Sequence, residues 1–162
     1  EGHRLLMAFD FGSKRHGVAI GNELTRTVNP SRVIPAQEGI PSWELLDALV
    51  KEWQPDAFVM GLPLEEDLTD TPLSLRARKF AKRLFGRYGK PCYGMDERGT
   101  TRMAKAVVKQ QGHKGNYRED PVDSLAAAMI LEGWLALNPE SNSPFLQQIA
   151  GPDYVKRGAN QQ

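Results

Sequence analysis

The chain has a single cysteine, Cys92, in 162 residues. One thiol excludes an internal disulfide and any zinc site built on several thiolates, and it suits a reducing, cytoplasmic setting. Long apolar runs are also missing. None approaches the ~20 residues that cross a bilayer, and no secretory leader is legible, so a membrane role is not expected. Neither sign of charge is in excess: 21 Lys and Arg against 20 Asp and Glu leave a formal net charge of +1. Composition alone therefore makes no case for nucleic acid, and a basic surface would have to arise from uneven placement of the cations. There are no internal repeats. The tryptophans at 43, 53 and 134 sit at core spacing, which makes them poor candidates for base stacking.

What is present is a pattern of apolar segments. "RLLMAFDF" reads as a buried strand, "GVAIGN" as a second and "SRVIPA" as a third, stopped by Pro35. They are close in sequence, which predicts an antiparallel meander. Gly17, Ala19 and Gly21 are small enough to let another backbone or a ligand approach the second strand. Ser42 caps a predicted helix from Trp43 to Trp53, with Trp43, Leu46, Val50 and Trp53 on one stripe. "DAFVMGLP" is a strand, "LEEDLTDTP" an acidic loop, and Leu73 to Tyr88 a helix with basic outer faces. "KPCYGMDE" is the last strand, followed by a helix from about Thr100 to Gln111 and a basic loop, "HKGNYRED". Asp120 and Pro121 open a final helix to about Leu137. The expected fold is α/β: a mixed five-stranded sheet, an antiparallel meander continued by parallel strands, flanked by helices. Residues 1–138 form the expected domain, and 139–162 read as a mobile or loosely docked tail.

Acids stand at the ends of these elements. Asp10 closes the first strand, Asp96 and Glu97 close the last, and Asp123 lies in the first turn of the final helix. Helical spacing from Asp123 reaches Ala126, Ala127, Ile130, Leu131 and Trp134, so Asp123 begins the apolar stripe. Its ordinary alternative is to complement the helix N-terminus, and plain capping suits Asp120. Strand alternation sends Asp96 and Glu97 to opposite faces, and the residues do not choose between them. Carboxylates converging from separate elements suit hard cations, Mg²⁺ or Mn²⁺. Two such ions about 3.5–4 Å apart support phosphodiester cleavage. Lys14 and Arg15 beside Asp10, and Lys114 and Arg118 in the late loop, are candidate phosphate contacts. His16 and His113 lack metal-ligand spacing and read as ordinary polar residues, and the basic face of the helix from Leu73 to Tyr88 is assigned to solvent.

"AFDFGSKRHGVAIGN", "VMGLPL", "DERGTT" and "DPVDSLAAAMILEGWL" together resemble the YqgF family, the Holliday-junction-resolvase-like or pre-16S ribosomal RNA nucleases, from about Arg4 to Leu137. The resemblance implies an RNase H-like fold. It also implies Asp10, Glu97 and Asp123 as catalytic metal ligands, thereby favouring Glu97 over Asp96. The implied function is metal-dependent endonuclease action on structured nucleic acid, in 16S ribosomal RNA precursor processing or on branched DNA. Symmetrical cutting of branched DNA would call for a homodimer. The chain departs from the family pattern in its "LEEDLTDT" loop and at Gly99, which bears on substrate contacts. Two other readings share these features: a nucleotide-binding phosphotransferase with an Asp-x-Gly loop, for which the chain is short, and a non-catalytic nucleic-acid-binding module.

Overall fold

The structure, a computed structural model, describes residues 5–67, 69–96, 122–136 and 146–151. Strands β1 (Leu5–Asp10), β2 (Arg15–Asn22) and β3 (Thr27–Gln37) form the expected meander, and the short β4 (Ile40–Pro41) turns back on β3. Helix α1 (Trp43–Trp53) leads to β5 (Ala57–Leu62), and α2 (Pro72–Tyr88) leads to β6 (Cys92–Asp96). Both of these strands run parallel to β1. Helix α3 (Val122–Ala136) and strand β7 (Leu146–Ala150) complete the described elements.

The sheet has the order β4-β3-β2-β1-β5-β6-β7. The seven strands among the described residues correct the expected five. One addition is β4, two residues that pair with Ala36 and Gln37. The other is β7, which pairs antiparallel with β6 and buries Ile149 and Ala150. It comes from the segment read as a tail, whose composition carries little apolar periodicity. The third strand is also longer than expected and runs through Pro30 and Pro35. Much of β3 lies along the sheet edge, where a missing N–H leaves few partners wanting.

Strand alternation divides the core in two. Met7, Phe9, Val18, Ile20, Phe58, Met60 and Leu62 face α1 and α2 in one buried cluster. Leu6, Ala8, Ala57, Val59 and Met95 face the other way and pack with Ile130, Leu131 and Trp134 of α3. The helices end as their sequences dictate. Ser42 accepts from the Leu45 amide at the start of α1, and Thr71 with Ser74 forms a capping box on α2. Trp53 departs from its expected burial, at 39% exposed. It belongs to the final turn of α1, which has no following turn to pack beside it. Between α1 and α2, Arg87 forks onto Asp47 at 2.6 and 2.8 Å and lies 4.6 Å over the Trp43 ring.

Candidate active site

Asp10 is the last residue of β1, half-buried, with Gly17 of β2 opposite it. Its parity is that of Leu6 and Ala8, so it belongs to the face covered by α3. That face is built for close approach. A Cβ on Gly21 would stand 2.6 Å from Leu131 Cδ2, and Ala19 packs with Ala127 and Ala128. The small residues of β2 thus admit a helix.

These contacts also give α3 a direction. Leu131 sits at Gly21, and one turn earlier Ala127 sits at Ala19, two residues nearer the Gly17–Asp10 pair. A helical turn advances about 5.4 Å and two strand residues about 6.8 Å, so the steps nearly match. The first turn of α3 therefore runs toward the Asp10 end of the sheet. Asp123 is the second residue of that helix. Its side chain lies outside the described residues.

At the end of β6 the alternation distinguishes the two neighbouring acids. Asp96 pairs with Leu62 and shares the parity of Cys92, both of which belong to the α1–α2 cluster. Asp96 is buried, but on the face opposite Asp10. Tyr93 and Met95 hold the α3 face. Glu97 lies outside the described residues, as do Lys114 and Arg118.

The loop after Asp10 is held by its backbone. The Gly12 amide donates to His16 Nδ1 at 3.2 Å, the Gly39 amide to the Ser13 carbonyl at 2.8 Å, and the Ala36 amide to the Lys14 carbonyl at 2.8 Å. This leaves Lys14 and Arg15 exposed around a cavity of about 240 Å³ that Asp10 also lines. Of the expected site residues, the structure therefore brings together Asp10, Lys14 and Arg15. Among the described residues no three His, Cys, Asp or Glu side chains cluster as metal ligands. The donor that is described, a half-buried carboxylate at the mouth of a cavity, suits a hard cation that keeps some of its water.

His16 is the residue that sequence reasoning undervalued. It is fully buried, stacked on Phe80 with ring centroids 4.7 Å apart and beside Phe11 at 4.8 Å. Nε2 donates to the Gly39 carbonyl at 2.9 Å, so Nδ1 is the unprotonated nitrogen that accepts from Gly12. Burial lowers its pKa from 6.5 to about 4, and the Gly39 bond opposes that shift only in part. His16 is thus a neutral pin joining the Asp10 loop to the β3–β4 turn. The available signal was parity, since His16 alternates with Val18 and Ile20 and so points inward.

The chain is similar to known proteins over most of its length. A Chromohalobacter salexigens protein named "Putative pre-16S rRNA nuclease" is 50% identical over 148 residues, covering 91% of this chain and 97% of that one. A Saccharophagus degradans protein of the same name is 53% identical over 134 residues, covering 83% and 94%. Among solved structures, T. thermophilus RuvC in complex with Holliday junction substrate matches with a TM-score of 0.50 at 16% identity, over 84% of this chain and 97% of that one. That likeness shows the fold, the layered α/β architecture expected of an RNase H-like protein. The model of the RuvX family, described as Holliday junction resolvase, matches residues 4–137, and the chain belongs to that family.

Proposed function

We propose that this chain is a metal-dependent endonuclease that hydrolyses phosphodiester bonds of structured nucleic acid, acting in 16S ribosomal RNA precursor processing. The observation that carries the reading is the course of α3. It directs its first turn toward Asp10, on the face that Tyr93 and Met95 of β6 also line. Asp10, Glu97 and Asp123 would then hold Mg²⁺ or Mn²⁺. Bound there, the cation would polarise the scissile phosphate and favour a hydroxide nucleophile. The protein's own part is to place the substrate. The pinned loop presents Lys14 and Arg15 to the phosphates on one side of Asp10, and Lys114 and Arg118 add contacts from the late loop. The names of the two relatives point to ribosomal RNA precursor.

The family description favours a second substrate, branched DNA. Symmetrical cutting of a junction would require a homodimer. No described helix is long and apolar enough to cross a membrane.

The test is parallel cleavage of a 16S precursor RNA and a four-way DNA junction in Mg²⁺, with EDTA and Asp10→Asn as controls. Cleavage by the parent, its loss in EDTA, and a folded but inactive Asp10→Asn are expected. An Asp10→Asn variant as fast as the parent would remove Asp10 from the reaction. The preferred substrate separates ribosomal RNA processing from junction resolution.

A further inference from the structure

The basic face of α2 carries more organisation than solvation requires. Arg76, Lys79 and Arg83 are spaced i, i+3 and i+7, which puts them on one stripe of the helix. All three line a single cavity of about 210 Å³, whose wall includes Phe11, Gly39 and Phe80. Arg76 is held in place, donating to the Glu38 carbonyl at 2.7 Å. Lys79 and Arg83 make no ion pair among the described residues, and neither does the Glu38 carboxylate at the rim. Three cations against one acid leave the cavity positive. Its wall of Phe11 and Phe80 is nearly all buried, so it offers an apolar backing rather than a stacking surface, and apolar walls focus the field of charges at a cleft.

The cavity also adjoins the Asp10 loop. Phe11 lines both this cavity and the one that Asp10 shares with Lys14 and Arg15. The Gly39 amide, from this cavity's wall, donates to the Ser13 carbonyl. An anionic chain gripped by Lys14 and Arg15 thus has a second cationic seat next to it, on a rigid helix.

We propose that Arg76, Lys79 and Arg83 form a second phosphate site, which holds the sugar-phosphate backbone of the nucleic acid flanking the segment at Asp10. This rests on the reading of the Asp10 site as a nuclease. The site reads backbone charge and not base identity, so it supplies affinity and orientation without sequence preference.

The test is binding of the full chain to a fluorescein-labelled four-way DNA junction and a labelled RNA hairpin. Anisotropy is followed in EDTA, where no cleavage occurs, from about 50 to about 200 mM salt. Lys79→Gln/Arg83→Gln is compared with the parent and with Lys51→Gln/Lys90→Gln. The latter removes the same charge from exposed positions away from the cavity. Losing two phosphate contacts should flatten the slope of log affinity against log salt by about 1.4 on single strands to about 1.8 on duplex. The Lys51/Lys90 variant should keep the parental slope. If both double variants flatten equally, the effect is net charge alone and the proposal fails. If the parent binds and the α2 variant keeps its slope, this site is overturned while the nuclease reading stands. A parent that binds neither probe overturns both.

Discussion

Replacing His16 by Phe keeps an aromatic ring of similar size between Phe11 and Phe80 and removes two hydrogen bonds. The Gly39 carbonyl is left buried without its donor, and the half-buried Gly12 amide loses its acceptor. A stranded buried group costs about 1–3 kcal/mol. The Gly12 bond is long and partly open to water, so the total expected near neutral pH is ~2–4 kcal/mol. The pH dependence is more diagnostic. In the unfolded chain His16 takes a proton near pH 6.5, whereas the folded protein resists until about pH 4. Between those values the unfolded state binds more protons, so stability is intact above pH 6.5 and falls as the pH falls. At about 1.4 kcal/mol per pH unit the parent loses about 3 kcal/mol over the window. The Phe variant has no such group to titrate. Urea unfolding followed by tryptophan fluorescence, at about pH 7.5 and about pH 4, should show the parent more stable at the higher pH and the gap almost closed at the lower. Carboxylates titrating in the same range act on both proteins and cancel in the difference. A gap that is the same at both pH values would refute the claim that the fold holds His16 neutral. A variant as stable as the parent near neutrality would refute the pinning role.

Two further predictions concern the neighbourhood of the site and the core. A Cβ at Gly12 would stand 2.5 Å from the Arg15 carbonyl oxygen, a backbone atom. Gly12→Ala must therefore displace the loop that carries Lys14 and Arg15. It should cost ~1–3 kcal/mol in urea unfolding and reduce cleavage in saturating Mg²⁺ beyond what the unfolded fraction explains. Activity equal to the parent's would mean that the loop conformation is not required. Cys92 is fully buried, its thiol donates to the Ala81 carbonyl at 3.2 Å, and burial pushes its pKa up. A thiol reagent should label it promptly in urea but only through opening of the core in native buffer; rapid labelling of the folded chain would contradict that placement.

Much of this protein was determined by local pattern. Strand and helix periods in the sequence placed β1, β2, α1, β5, α2, β6 and α3 to within a few residues, because each must bury an apolar face and the two periods differ. The position of Asp10 at a strand end was equally legible, as was the narrow second strand formed by Gly17, Ala19 and Gly21. What approaches that strand was not: the sequence allowed a ligand or another backbone, and packing against Leu131 and Ala127 shows the helix.

Other features depended on partners distant in the chain. Residues 146–150 have no strong pattern of their own and form β7 because β6 has an edge to cover. Trp53 carried the right spacing and lacks neighbours to bury it. Asp96 and the residue after it are adjacent in sequence, and only the pairing of Asp96 with Leu62 shows which face Asp96 takes. His16 is one polar letter in a basic loop until Gly39 and Phe80 close over it from elements 23 and 64 residues further on. Periodicity reports which face of an element is apolar. It does not report what that face meets, because a contact between distant residues belongs to two segments at once and is written in neither.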